Sequence, residues 1–287
     1  MITEKAFAKI NLTLSVGEKR KDGYHDIDSV MHSISLHDKI TLEKSGEISL
    51  SVTKGSAPSG QENLMWKAAE LFFAETGISG GVRMELEKHI PAQAGLGGGS
   101  SDAAAVLRGL NRLMKTGLSA EELSDMGKRI GADVPCCITG GCCRCRGIGE
   151  KLTKVSGWNG LPLVIVRPPV AVETGKAYAV LDRAEKQTGN KTDACIRALE
   201  EKNRKKLAER LSNVFEKALF AEEPVLEETS RRLALFSRPH LMTGSGSAFF
   251  VVAESRADMK RLAEEIKKES PGLFIAETET KTKTDIG

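Results

Sequence analysis

The apolar positions along the chain switch between two periods, and the switches mark out elements. Phe7, Ile10, Leu12, Leu14 and Val16 predict a strand or strand pair over residues 2–16. Ile27, Val30, Ile34 and Leu36, then Ile40, Leu42, Ile48, Leu50 and Val52, predict further strands over 24–36 and 39–53. Lys19-Arg20-Lys21-Asp22-Gly23 reads as the turn between them, and residues 54–61 as a Gly/Ser/Pro loop. Asn63 stands where a helix N-cap belongs, ahead of a helix over 64–75. Val82, Met84 and Leu86 alternate as a strand. Ala103, Val106, Leu107, Leu110 and Met114 then recur at helical spacing. Ser119, with Glu122 three residues on, opens another helix to about 130 through a capping box. Residues 134–155 read as strands.

Glycines 157 and 160 mark a domain boundary. Beyond it come a buried strand over 161–166, helical segments over 174–237, a glycine turn followed by a strand over 248–253, a helix through Met259, Leu262, Ala263 and Ile266, a last strand over 273–277, and a polar tail over 277–287. Strands and helices mix without βαβ alternation. The expectation is an α+β protein of two domains, 1–157 and 158–287.

Composition adds exclusions. With 40% hydrophobic and 28% charged residues, the 287-residue chain is ordinary for a globular protein. A net charge of +3 is too small to point to nucleic acid or membrane partners, and no apolar run approaches a membrane span. Met1-Ile2-Thr3-Glu4-Lys5 lacks the start of a signal peptide, so the expected location is the cytoplasm. Five of the six cysteines crowd into 136–145. Their spacing is not that of a zinc site, and alternation puts Cys143 and Cys145 on one strand face and Cys142, Arg144 and Arg146 on the other. They read as small buried apolar residues.

The candidate chemistry centres on Pro91-Ala92-Gln93-Ala94-Gly95-Leu96-Gly97-Gly98-Gly99-Ser100-Ser101, between a strand and an Ala-rich helix. Glycines let peptide N–H groups approach an anion, and the following helix points its positive end at the same spot. No Gly-Lys-Ser/Thr closes the loop, so it is not a Walker A sequence.

This stretch resembles the phosphate loop of the GHMP kinases. Ala8-Lys9-Ile10-Asn11-Leu12 is similar to that family's opening motif, and Leu241-Met242-Thr243-Gly244-Ser245-Gly246-Ser247 to its third. The resemblance covers nearly the whole chain. It implies a ribosomal-protein-S5-like N-terminal domain and a ferredoxin-like C-terminal domain, with ATP and substrate in the cleft between them. Asp22-Gly23-Tyr24-His25 resembles the substrate site of those members that phosphorylate the 2-hydroxyl of a cytidine-diphosphate-linked methylerythritol in the non-mevalonate isoprenoid pathway. Gly131-Ala132-Asp133-Val134-Pro135 resembles the catalytic segment, and Gly147-x-Gly149-Glu150 fits it.

By that resemblance Asn11 and His25 contact the cytosine, Tyr24 and Tyr178 line the base pocket near Thr174, and Asn63, Leu64 and Lys88 flank the adenine. These are the only two tyrosines in the chain, and an aromatic face is what a neutral pyrimidine stacks on. Lys9 suits the γ-phosphate, and Asp133 the proton of the hydroxyl, as base or as orienter. Mg²⁺ is expected with ATP, with Ser101 as its hydroxyl ligand. The cysteines after Asp133 depart from the family pattern. Three other readings remain open: a GHMP kinase for mevalonate or homoserine, a nucleotide-binding protein without catalysis, and a cysteine-cluster metalloprotein. The chain is expected to act as a monomer or homodimer.

Overall fold

The computed structural model describes residues 1–184 and 189–282. The first half runs β1 Ile2–Lys19, β2 His25–Ser45, β3 Ser49–Lys54, α1 Leu64–Thr76, β4 Gly81–Glu87, α2 Gly98–Met114, α3 Ala120–Ile130, α4 Val134–Thr139, β5 Cys142–Gly147 and β6 Lys151–Lys154. The second runs β7 Pro162–Arg167, α5 Thr174–Arg183, α6 Thr192–Glu200, α7 Arg204–Arg210, β8 Ser212–Asn213, α8 Phe215–Glu222, α9 Pro224–Ala234, β9 His240–Met242, β10 Phe249–Val252, α10 Arg256–Glu269 and β11 Phe274–Glu279. Among the described residues no helix is long and apolar enough to cross a membrane.

One sheet carries the path β3-β4-β2-β1-β8, with β5 and β6 branching from β2. The other has the order β11-β7-β10-β9, all antiparallel. With α5–α9 between β7 and β9, and α10 between β10 and β11, that half follows the β-α-β-β-α-β sequence of a ferredoxin-like unit. Helices α1 and α2 cover one face of the larger sheet, burying Ile40, Leu42, Met84 and Leu86 against Phe72, Val106 and Leu110. Two further core clusters join the halves: Ile10, Leu12 and Ile34 pack with Ile165, Leu241 and Phe250, and Cys143 and Cys145 with Val164 and Phe249.

Three expectations need correction. The strands expected over 24–36 and 39–53 are one long strand and a short one, because Asp38 breaks the alternation yet stays buried and hydrogen-bonded within β2. Residues 134–139 form a helix, not a strand. Asp133 is its N-cap residue and Pro135 lies in its first turn, while the run is too short and too evenly apolar for its period to be read. The polar tail continues β11: Thr278 and Thr280 are buried, and Thr280 pairs with Ile34. Residues 283–287 of that tail lie outside the described residues.

The cysteines behave as expected. Cys143 and Cys145 face one core cluster and Cys142 the other, while Arg146 is exposed. Arg144 pairs with Asp28 and Asp193. The capping box is present, with Ser119 and Glu122 each satisfying the other's peptide N–H. In the pairing of β1 with β2, irregularities fall between Phe7 and Lys9 and between Asn11 and Thr13. Such bulges re-aim side chains, and these flank Lys9 and Asn11.

Candidate active site

Lys9 leaves β1 beside the phosphate loop. Its backbone N–H donates to the Leu96 carbonyl at 3.0 Å. Its stem lies along Gly97, where an added Cβ would come within 3.0 Å of the Lys9 carbons. The side chain is 6% exposed, and its ammonium donates to Asn11 Oδ1 at 2.7 Å and sits 3.3 Å from Asp133 Oδ2. Asp133 is 30% exposed and reaches the site from the start of α4. A buried cation thus meets a carboxylate that still faces solvent.

Asn11 does not face outward, as a cytosine contact would have to. It is 1% exposed; its amide N–H donates to Ser29 Oγ at 2.8 Å, its oxygen receives Lys9, and its backbone N–H donates to Thr243 Oγ1 at 2.9 Å. With its polar atoms taken up inside the protein, it aims Lys9.

The loop over 91–101 is built against the third motif. Gly95 has φ 72°, and a Cβ there would lie 2.1 Å from the Thr243 carbonyl oxygen. The Ala248 N–H donates to Ala94 O at 3.1 Å, so the two glycine turns are laced together. Gly97, at φ 67°, is the N-cap residue of α2, whose first turn carries no acidic residue. The positive end of the helix is therefore free of a competing carboxylate there. Ala92, Gln93 and Gly99 are exposed, and Pro91, Gly98 and Ser100 half-buried.

Ser101 does not fit its expected role as the metal's hydroxyl. It is 2% exposed, and its Oγ donates to the Phe7 carbonyl at 2.6 Å, tying α2 to β1. Lys88, expected beside the adenine, does not face an open pocket. It is buried, and its ammonium pairs with Asp38 and Asp102. Asn63 is the N-cap of α1: it accepts from Met65 N at 2.9 Å and donates to the Pro58 carbonyl at 2.6 Å. Leu64 lies against Gly99.

The turn after β1 closes through Arg20 N–H to Tyr24 O at 2.7 Å, with Gly23 at φ 87°. It leaves the Tyr24 ring 59% exposed. His25 is buried beside it. Nδ1 lies 3.0 Å from the Gly17 carbonyl oxygen, and Nε2 lies 2.9 Å from Asp182 Oδ1. Tyr178 stacks on His25 with centroids 5.3 Å apart and meets Phe215 edge-on at 5.0 Å. The Tyr178 hydroxyl is pushed up to about 12, first by burial and then by the charge of Asp133, so the Tyr178 hydroxyl and the Asp133 carboxylate are electrostatically linked. Thr174 is exposed at the start of α5, its hydroxyl 3.2 Å from that of Ser245.

Sequence reasoning missed Asp182, which Lys19, and less strongly His25, hold below the ordinary carboxylate range. It lies four residues after Tyr178 on one helix, a spacing that could have drawn attention. Asp38 fell between the two strands expected over 24–36 and 39–53 and gave no sign of a part in the site.

Comparison with known proteins agrees with this geometry. Residues 63–141 match the profile of the GHMP kinases N terminal domain. A 4-diphosphocytidyl-2-C-methyl-D-erythritol kinase of Caldicellulosiruptor saccharolyticus is 42% identical over 280 residues, covering 95% of this chain and 93% of the relative. A crystal structure of 4-(cytidine 5'-diphospho)-2C-methyl-D-erythritol kinase matches with TM-score 0.81 and 33% identity over 97% of this chain and 99% of that one. The crystal structure of L. major mevalonate kinase in complex with R-mevalonate shares the two-domain fold at TM-score 0.77 and 16% identity, covering 98% of this chain and 96% of that one. The paired glycine turns, the Lys9–Asp133 contact and identity of 42% over nearly the full length lead to one conclusion: the chain belongs to the 4-diphosphocytidyl-2-C-methyl-D-erythritol kinase family of GHMP kinases.

Proposed function

We propose that this chain transfers the γ-phosphoryl group of ATP to the 2-hydroxyl of 4-diphosphocytidyl-2-C-methyl-D-erythritol, in the non-mevalonate isoprenoid pathway. The observation that carries the reading is the Lys9–Asp133 pair, 3.3 Å apart and packed on the glycine loop. The loop's glycines leave the space that side chains would fill, which suits a polyphosphate.

Lys9 neutralises charge that develops between donor and acceptor oxygens, and it is held for this by Asn11. Asp133 orients the hydroxyl and takes its proton as the new P–O bond forms. Tyr24 offers an exposed face for the pyrimidine beside His25 and Tyr178. Thr174, exposed one turn before Tyr178 on α5, is the residue we assign beside them.

Mg²⁺ supplies charge neutralisation to the nucleotide phosphates and needs few protein ligands. Ser100 is the hydroxyl we assign to it, since Ser101 already donates to Phe7. Ser100 Oγ also lies near Gly131, two residues before Asp133. Leu64 lines the adenine side, with Asn63 shaping it as a helix cap. We place the enzyme in the cytoplasm, as a monomer or homodimer acting on a small molecule, with its domains dividing near residue 157.

The test is ATP-to-ADP turnover with the cytidylyl alcohol beside mevalonate and homoserine. Turnover with the cytidylyl substrate alone is expected. Turnover only with another alcohol would end the cytidine reading, and none with any would end the kinase reading. In the same assay Tyr24→Ala should raise KM for the cytidylyl substrate roughly tenfold, the size of one lost base-stacking contact, and leave KM for ATP unchanged. An equal rise in both constants would remove Tyr24 from the base pocket.

A further inference from the structure

Thr174, Tyr178 and Asp182 recur every fourth residue along α5, so they share one stripe of that helix. Two of them hold the same imidazole. Tyr178 covers the face of the His25 ring, with centroids 5.3 Å apart, and Asp182 meets its edge, with Oδ1 2.9 Å from Nε2. The other carboxylate oxygen, Oδ2, accepts from the Lys19 ammonium at 2.9 Å. Lys19 and His25 are direct partners across the pairing of β1 with β2. One carboxylate from the second half of the chain therefore joins both strands of the first half, where they turn at Tyr24.

The His25 side chain has no donor to spare for a base. Its Nδ1 lies 3.0 Å from the Gly17 carbonyl oxygen, which can only accept, so Nδ1 carries a hydrogen and gives it to that oxygen. Its Nε2 is enclosed and faces the carboxylate. Asp182 is in the opposite position. A carboxylate has about four acceptor sites. Among the described residues Lys19 takes one, and His25 lies close to another without a well-aligned hydrogen bond. The Asp182 side chain is 28% exposed, so acceptor capacity is left facing solvent beside the two stacked rings. A pyrimidine with an amino group at position 4 can donate to such an oxygen. One with a carbonyl there sets a second lone pair against it. A carboxylate accepting from the amine of cytosine is the pairing by which side chains single out that base in nucleic acids.

We propose that Asp182 selects cytosine over uracil, its carboxylate accepting from the 4-amino group of the base while Lys19 holds it in place. It is a specificity-determining residue. The assignment rests on the cytidine reading of the pocket and adds to it the atom that tells one pyrimidine from the other.

The experiment compares kcat/KM for 4-diphosphocytidyl-2-C-methyl-D-erythritol with that for its uridylyl counterpart, at saturating MgATP, in the full chain and two variants. Wild type should favour the cytidylyl substrate about 10- to 100-fold, the size of one good base-edge contact. In Asp182→Asn the amide oxygen still serves Lys19 and the amide N–H can meet the 4-oxygen of uracil, so the preference should shrink to within about threefold. Asp182→Ala removes the acceptor and should level the two substrates by lowering the cytidylyl value. A merely structural role would lower both values together and keep their ratio, and melting curves report whether each variant is folded. The wild-type ratio retained in either folded variant, or equal values for the two substrates in wild type, would overturn the assignment and leave the kinase reading standing. Turnover of neither substrate by wild type would overturn both.

Discussion

Asp133→Asn should lower kcat by about 10²- to 10⁴-fold, the usual contribution of a positioned general base, with both KM values within about threefold of wild type. The asparagine retains an oxygen for Lys9 and fills the same space, so geometry at the end of α4 persists. What it loses is the ability to take a proton and the charge facing the Lys9 ammonium at 3.3 Å. The stability cost should be small, about 1 kcal/mol or less, because Asp133 is 30% exposed and the buried Lys9 keeps its bond to Asn11. A steady-state comparison with parallel melting curves separates the two effects. A kcat within about threefold of wild type would remove Asp133 from proton transfer and leave orientation by Lys9 and the loop to account for the rate.

The largest expected effect on stability comes from Gly95→Ala. At φ 72° a side chain costs roughly 1–2 kcal/mol. Collision costs more: the methyl would stand 2.1 Å from the Thr243 carbonyl oxygen and 3.1 Å from that of Gly246. Both are backbone, so neither can swing aside like the end of a flexible side chain. The turns must separate, breaking the bond from Ala248 N–H to Ala94 O that laces the loop to the third motif. A total loss of about 4 kcal/mol is expected, which lowers Tm by roughly 8 °C or more. Nucleotide binding should weaken in the same variant, since the loop is held from behind by this contact. Gly99→Ala is the control: its Cβ would meet only Leu64 at an ordinary 3.5 Å. Equal melting temperatures for the two variants would show that the glycine turns can part at little cost.

The site therefore divides into two layers. On the proposed function, Lys9, Asp133 and the loop glycines are the groups that would meet the reactants. Asn11, Thr243, Asp38, Lys88 and Asp102 hold them there through bonds made below the surface. Preorganisation of this kind is what lets a positioned charge act in the transition state without reorganising first.

Much of the first layer was legible in the residue order. The glycine loop between a strand and a helix, the 3.6-residue spacing through Leu110, the Ser119 cap and the Asp-Gly-Tyr-His turn are local patterns, and local sterics and hydrogen bonding decide them. The alternation of Cys143 and Cys145 likewise showed which strand face is buried. What tertiary structure decided is where polar side chains spend their hydrogen bonds. Asn11 and Ser101 stand in motifs that looked ligand-facing, yet both turn inward, because partners at Ser29 and Phe7 arrive from distant segments. Asp38 looked like the break between two strands until His89 and Ile90 supplied the donors that let it stay buried. Lys88 was expected to flank the adenine, yet two carboxylates enclose its ammonium. A buried polar group is stable only when paired, and the pair is set by strand register and helix docking across tens of residues, which no local period of the chain records.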